Sequence, residues 1–276
     1  DIPAPDVNTN GKIMSWMVDA YENVVKKSAP GVFTGKPVEF GGSLARTEAT
    51  GYGVNFAAVQ ALEKLGKDVK GATYAIQGFG NVGYHTGYYA HQSGAKVVAV
   101  STVDVAIYNE NGLDMEALFK EFQEKGFITN EAGYGKEISN AELLALDVDV
   151  LAPCALENQL TSENAGKVRA KIVVEGANGP TTPEADAILR QNGVLVVPDI
   201  LANCGGVVVS YFEWVQNLQG YYWEFDEVQE KETVVLRRAF RDIWNLAQEY
   251  DVDLRTASYM MSIRRVEKAM KLRGWY

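Results

Sequence analysis

Gly78, Gly80 and Gly83, set in Gly78-Phe79-Gly80-Asn81-Val82-Gly83, have the spacing of a phosphate-binding turn. Thr73-Tyr74-Ala75-Ile76 just before them are strand formers, and about ten residues after them follow a helical pattern. A strand-to-helix turn of this kind needs Gly78 where φ must turn positive, Gly80 where backbone approaches a pyrophosphate, and Gly83 where helix and strand pack closely. The phosphates would then rest on the N–H groups of the helix start, at Asn81, Val82 and beyond. A glycine-rich turn is weak evidence by itself, but a strand before it and a helix after it make it a dinucleotide site. Three further stretches gather polar residues where strands end. They are Ala152-Pro153-Cys154-Ala155 with Asn158 close behind, Glu175 to Pro180 with Asn178, and Pro198-Asp199 leading to Asn203-Cys204-Gly205-Gly206. Asparagine is an ordinary turn residue. All three stretches nevertheless fall on the edge where a doubly wound sheet takes its ligand.

The elements that must position these residues follow from apolar patterning. Near-continuous apolar runs at 96–101, 148–154, 170–177 and 194–200 read as strands buried on both faces. Helical stretches near 115–125, 162–167 and 182–191 lie between them. Such alternation builds right-handed βαβ units, so the fold class is α/β, a Rossmann-like doubly wound, mostly parallel sheet. Residues 1–11, dense in Pro, Asp, Asn and Thr, are extended or turning. There Asp6 reads as an Asx turn or as part of the cap of a helix over 12–26. Residues 40–53 have the composition of a hinge or a substrate-facing loop, and a helix over 54–65 follows. A helix begins at Gly205, the aromatic run Tyr221-Tyr222-Trp223 reads as core or subunit interface, and helices over 226–250 and 255–273 close the chain. His85 and His91 sit on the fingerprint helix, outside any triad or metal grouping.

Length and composition narrow the function classes. The 276 residues have room for two domains or one large α/β domain. A formal charge of −10, from 26 basic against 36 acidic residues, argues against a nucleic-acid partner. It leaves a dinucleotide possible, because backbone N–H groups hold one. No apolar run approaches about 18 residues, so no membrane span is expected. Cys154 and Cys204 have no metal-type spacing and read as buried reduced thiols, which suits a cytoplasmic protein. No metal site is expected. The chain opens at Asp1 with neither methionine nor a signal segment, which points to processing or a fragment.

Several stretches together are more specific: Ile2-Pro3-Ala4-Pro5-Asp6-Val7-Asn8-Thr9, Gly41-Gly42-Ser43 with Arg46 to Gly53, Gly78 to Gly83, Glu175 to Thr182, and Asn203 to Ser210. They resemble the glutamate dehydrogenase family, within the amino-acid dehydrogenase superfamily, over essentially the whole chain. The resemblance implies reversible oxidative deamination of L-glutamate to 2-oxoglutarate and ammonia, with hydride passing to a nicotinamide ring. It makes Asp6 the catalytic aspartate that relays protons to and from the substrate nitrogen, a role that suits a carboxylate. Thr34, Arg46, Val207 and Ser210 match positions that shape the pocket for the glutamate side chain, with Ser210 a donor to its γ-carboxylate. The alternative for Ser210 is an ordinary helix serine bonded to a carbonyl one turn back. Thr50, Asn178 and Asn203 match positions at the nicotinamide end of the cofactor. A homohexamer is implied for the full-length protein. So is a division into residues 1–48 as the tail of a substrate domain, 49–250 as the dinucleotide-binding domain, and 251–276 as a helix returning to the substrate domain.

Two departures accompany the resemblance. The family's substrate-binding lysines have no counterpart, and no Gly-Gly-x-Lys-Gly stretch exists in this sequence. The chain is therefore expected to be the C-terminal portion of a longer enzyme, binding nucleotide but hardly turning over glutamate alone. The second departure concerns the coenzyme. Strand two ends Ser101-Thr102-Val103-Asp104, hydroxyls first and carboxylate late, with Asp104 21 positions beyond Gly83. A carboxylate there accepts from the ribose 2′-OH and repels a 2′-phosphate, so NAD is expected, with NADP the alternative. Rival functions are a dehydrogenase of leucine, valine or phenylalanine, with an apolar pocket, and a nucleotide-binding module without catalysis. Arg46 and Ser210 favour glutamate.

Overall fold

A computed structural model describes residues 1–6 and 8–275. Val7 of the proline-rich motif lies outside the described residues. In chain order the helices and strands are α1 (Gly11–Val25), α2 (Ala49–Lys64), β1 (Thr73–Gln77), α3 (Asn81–Gln92), β2 (Lys96–Ser101) and β3 (Ala106–Tyr108). Next come α4 (Met115–Lys125), β4 (Lys136–Ile138), α5 (Asn140–Leu144), β5 (Val150–Pro153), β6 (Ile172–Val174), α6 (Pro183–Gln191) and β7 (Leu195–Val197). Four helices complete the chain: α7 (Asp199–Ala202), α8 (Gly205–Gln219), α9 (Phe225–Tyr250) and α10 (Leu254–Leu272). The chain divides into two units, residues 51–204 with 236–276 and residues 1–50 with 205–235.

The larger unit is built on the apolar runs. Its seven strands lie in the order β4-β3-β2-β1-β5-β6-β7, with β2, β1, β5, β6 and β7 parallel. Alternate residues of each strand serve opposite faces, as a pleated strand requires. Tyr74, Ile76, Val150, Ala152 and Ile172 join one core cluster with Val54, Ala58 and Leu62 of α2. Ala75, Leu151 and Val173 join another with Leu143 and Leu189. Burying one such Leu or Ile side chain contributes about 1.5–3 kcal/mol, so both faces must be covered. After β1 the chain crosses to β2 on one side and later returns to β5 on the other. That reversal opens a crevice at the carboxyl end of β1, where ligands of such sheets bind.

Two antiparallel strands, β3 and then the edge strand β4, extend the sheet beyond what the apolar runs predict. Each is three residues long, and Lys136-Glu137-Ile138 has no core run to betray it. Residues 162–167, expected to be helical, form only a 3-10 turn at Ala165–Lys167. Asn164 diverts the chain: its Oδ1 accepts the Thr161 N–H at 2.8 Å and its Nδ2 donates to the Gln159 carbonyl at 2.8 Å. Such side-chain bonds compete with a helical ladder. The helix α10, expected to leave for the other unit, belongs here, because Leu254 and Ala257 lie in the sheet's core and Arg255 bonds Glu175 and Asp186.

The smaller unit joins the first fifty residues to α8 and the start of α9. Its centre is the buried Glu213 of α8, which accepts from Thr34 Oγ1 at 3.1 Å, the Gly35 N–H at 2.8 Å and Lys36 Nζ at 2.6 Å. Lys36 and Glu213 are an enclosed ion pair, each side chain 1% exposed. Gln216 donates to Ser43 Oγ at 2.9 Å and Asn217 to the Gly41 carbonyl at 2.7 Å. Ala45, Ala49, Val209, Phe212 and Val228 form the apolar floor. The division at Thr50/Gly51 falls near the expected 48/49, whereas grouping residues 205–235 with the N-terminal segment was not foreseen. Polar partners some 180 positions apart leave no local pattern in sequence.

Candidate nucleotide and substrate sites

In the larger unit, β1 delivers the chain to Gly78, whose φ of +86° belongs to the region that favours glycine. A Cβ there would come within 2.8 Å of the Ala155 backbone. The Gly78 N–H donates to Ser101 Oγ at 3.2 Å, and that hydroxyl donates to Asn140 Oδ1 at 3.2 Å. Ser101, expected to touch the cofactor, is thus buried and braces the turn. Gly80 caps α3 without a side chain, and a Cβ on it would meet nothing within 4 Å. The first intrahelical bond runs from the Tyr84 N–H to the Gly80 carbonyl, so the N–H groups of Asn81, Val82 and Gly83 precede the helical ladder. An open cradle lined by backbone donors at a helix N-terminus fits a pyrophosphate. A Cβ on Gly83, by contrast, would overlap the Gly78 carbonyl oxygen, so this glycine closes helix onto strand.

The strand ends on the same edge are tied together. Asn203 Nδ2 donates to Asn178 Oδ1 at 2.7 Å and to the Gly176 carbonyl at 3.3 Å, which joins the loops after β6 and β7. Asn158 adopts a φ of +55°, which asparagine tolerates better than most residues, and its N–H donates to the Gly179 carbonyl at 2.9 Å. Asp104 stands exposed in the bend after β2, with its N–H on Thr102 Oγ1 at 3.3 Å. Burial pushes the Cys154 thiol up to about 12, so it is an inert neighbour of the turn. Neither cysteine is in a disulfide among the described residues, and both retain some side-chain exposure where full burial was expected; Cys204 Sγ donates to the Leu201 carbonyl at 3.0 Å.

In the smaller unit Thr34, Arg46 and Ser210 come together. Arg46 Nε donates to Ser210 Oγ at 2.8 Å. The Thr34 hydroxyl goes to Glu213, and its N–H donates to the Pro3 carbonyl at 3.0 Å. Val207 lies one turn before Ser210 on α8 and is exposed. Gly206 admits both Arg46 and Thr50, because a Cβ there would overlap Thr50 Oγ1 and come within 3.5 Å of Arg46 Nη1. Burial lowers the pKa of Arg46 while Glu213 and Glu232 raise it. Asp6 is exposed in a turn closed by Thr9: the Asp6 N–H donates to Thr9 Oγ1 at 2.6 Å, and the Thr9 N–H to the Asp6 carbonyl at 2.9 Å. The cap of α1 is Asn10, not Asp6.

The sequence profile of the family described as Glutamate/Leucine/Phenylalanine/Valine dehydrogenase matches residues 41–274. The chain belongs to this family. Among members of the dehydrogenase family it is 54% identical to the NAD-specific glutamate dehydrogenase of Clostridioides difficile and 52% identical to the glutamate dehydrogenase of Thermotoga maritima. All of the chain aligns in both cases, and it spans 66% of each relative. Its fold matches the crystal structure of glutamate dehydrogenase from Peptoniphilus asaccharolyticus with a TM-score of 0.87 at 45% identity, covering 100% of this chain and 66% of that one. The hetero-hexameric glutamate dehydrogenase of Thermus thermophilus, in a leucine-bound form, gives 0.92 at 34% identity, covering 100% and 65%.

Several residues of these sites escaped the sequence reading. Glu213 and Lys36, which hold the pocket segment, sit amid unremarkable helix and loop. Glu232 of α9 is 1% exposed, its two carboxyl oxygens have no hydrogen-bond partner among the described residues, and a Cβ on Gly205 would lie 2.5 Å from its Oε1. The spacing of acidic residues on α9 marks it only as one more charge on a charged helix. Among the described residues no group of three or more His, Cys, Asp or Glu has a metal-holding arrangement, and no helix is long and apolar enough to cross a membrane.

Proposed function

We propose that the full-length protein catalyses NAD-dependent oxidative deamination of L-glutamate to 2-oxoglutarate and ammonia, and the reverse amination, while the 276 residues alone bind nucleotide and hardly turn over glutamate. The observation that carries the choice of glutamate within the family is the 2.8 Å bond from Arg46 Nε to Ser210 Oγ. Because Arg46 fills a lone pair of that oxygen, the hydroxyl hydrogen is left to donate elsewhere. A guanidinium beside an oriented hydroxyl suits a second carboxylate and penalises the apolar side chain of leucine, valine or phenylalanine. The names of the relatives in Clostridioides difficile and Thermotoga maritima support the same substrate.

The residues would divide the work as follows. Arg46 and Ser210 bind the γ-carboxylate, with Thr34 and Val207 shaping the pocket. Asp6, held at a Thr9-closed turn, accepts a proton from the substrate amine and returns one in amination. Gly78, Gly80, Asn81, Val82 and Gly83 seat the pyrophosphate, flanked by Ala155 and Asn158. Asn178, Asn203 and Thr50 serve the nicotinamide end. Bound NAD supplies the ring that accepts hydride from the substrate Cα. Asp104 receives the ribose hydroxyls and makes NAD the better coenzyme, in keeping with the Clostridioides difficile relative's name. We further infer a homohexamer working in the cytoplasm. The hetero-hexameric Thermus thermophilus neighbour supports the subunit number.

Replacing Ser210 with Ala is expected to raise the KM for glutamate about tenfold, the value of one hydrogen bond to a charged group, with the KM for NAD unchanged. Steady-state kinetics of the full-length enzyme on glutamate, leucine and phenylalanine checks this. A higher kcat/KM on either apolar amino acid overturns the glutamate assignment. NAD is expected to exceed NADP in kcat/KM by at least about tenfold, the effect of a carboxylate facing a 2′-phosphate. The opposite preference would remove Asp104 from the site.

A further inference from the structure

Asn178 and Asn203 sit on loops, yet their amide groups meet at 2.7 Å. The Asn203–Gly176 bond joins the two loops, and backbone bonds among Pro153, Gly176, Ala177, Asn158 and Gly179 tie the first of them to the loop after β5, but neither set reaches the residue that opens the helix before Asn203. The anchor comes from α10. Arg255 Nη2 donates to Glu175 Oε1 at 2.6 Å and Nη1 to Glu175 Oε2 at 3.1 Å, while Nε donates to Asp186 Oδ2 at 2.7 Å. Nη1 also lies 3.6 Å from Asp199 Oδ1. Glu175 follows β6 directly and its side chain is 0% exposed, against 22% for Arg255.

Both carboxylates pass the constraint on to backbone. Glu175 Oε2 accepts the Asp199 N–H at 2.8 Å, and Asp199 Oδ2 accepts the Gly179 N–H at 2.8 Å. The pinned positions are the neighbour of Asn178 and the residue that opens the short helix leading to Asn203. Burial works against the charge of Arg255, but its hydrogen bonds to Glu175 and Asp186 outweigh that and hold its pKa above the ordinary value. A planar guanidinium can grip Glu175 with two donors while reaching Asp186 with a third, which an ammonium cannot do.

We propose that Arg255 is a positioning residue for the nicotinamide half of the dinucleotide site, setting the separation of Asn178 and Asn203 through Glu175 and Asp199. The inference rests on the assignment of those two asparagines to the nicotinamide end. ADP-ribose, which has the pyrophosphate but no nicotinamide, separates the two claims. In calorimetric titrations of the purified protein, Arg255→Lys should weaken NADH about tenfold and leave the Kd for ADP-ribose within about twofold, since only the nicotinamide contacts depend on the clamp. Asp199→Ala, which leaves the Arg255–Glu175 pair whole, should give the same split and decides the matter if Arg255→Lys does not fold. Equal losses for both ligands, or no loss for either, overturn the proposal in favour of a purely structural clamp. Failure of the unaltered protein to bind ADP-ribose at all would instead bring down the pyrophosphate site at Gly78 to Gly83, and the proposal with it.

Discussion

Gly83→Ala should abolish measurable nucleotide binding and lower Tm, while Gly80→Ala should weaken NADH by at least about tenfold and leave Tm nearly unchanged. The two glycines belong to one motif, but their surroundings are opposite. A methyl on Gly83 would overlap the carbonyl oxygen of Gly78, a backbone atom that cannot swing aside as a flexible side chain can. Forced overpacking costs about 1–3 kcal/mol even where side chains can shift. Here α3 must separate from the turn after β1, so both the core and the cradle suffer. Gly80 has a φ of −80°, which alanine adopts freely, and its Cβ would enter open space. That space is where the pyrophosphate would lie. Calorimetry with NADH and thermal denaturation of the two variants give the comparison. Wild-type affinity in Gly80→Ala would mean that the phosphates lie elsewhere.

Glu232→Gln should protect the fold at alkaline pH. The wild-type carboxyl is enclosed without a hydrogen-bond partner among the described residues, and burial pushes its pKa from 4.5 up to about 9, with Arg46 pulling it down and Glu48 pushing it up. In the unfolded chain the same group releases its proton near 4.5. Between these values the unfolded state binds fewer protons than the folded one, so stability falls as pH rises. The contribution is complete below about pH 4.5, is lost steadily up to about pH 9, and does not change beyond. Several kcal/mol are at stake, on the order of 3–6, against a typical total of about 5–15 kcal/mol. Glutamine has the shape without the ionisation, so its variant should lack this decline. Urea unfolding from pH 5 to 10 tests it, and parallel profiles for the two proteins would show that Glu232 does not titrate in this range.

How much of this was legible beforehand depends on distance along the chain. The strand, glycine turn and helix from Thr73 to Gln92 declare themselves within twenty residues, because periodicity and glycine spacing are local. The parallel strands were legible as apolar runs: β2 fills its expected 96–101, whereas β5, β6 and β7 proved shorter, β6 covering Ile172–Val174 within an expected 170–177. The strands β3 and β4 were not legible: β3 buries only Ala106 and Ile107, too short a run to stand out, and β4 buries none of its three residues, so pairing defines it. Arg46 and Ser210 were recovered through family resemblance and lie 164 positions apart, so no spacing rule would have joined them. Arg255 and Glu232 left no signal, because an arginine or a glutamate on a charged helix looks the same whether it faces water or is enclosed. Ser101 shows the converse: a hydroxyl at the right strand end was legible, but not that it would turn inward to brace Gly78.

The smaller unit takes its residues from two stretches of the chain, 1–50 and 205–235. During synthesis the segment bearing Thr34 and Lys36 leaves the ribosome well before Glu213 exists to receive it. At about 5–20 residues per second, the intervening stretch of roughly 150 residues takes on the order of 8–30 s to emerge. Throughout that interval Lys36 stays solvated and the nascent stretch of residues 1–50 has no α8 to dock on. Chaperone dependence in the cell should therefore centre on the first fifty residues, whereas β1, α3 and β2 have their partners close behind them and can pair as they emerge.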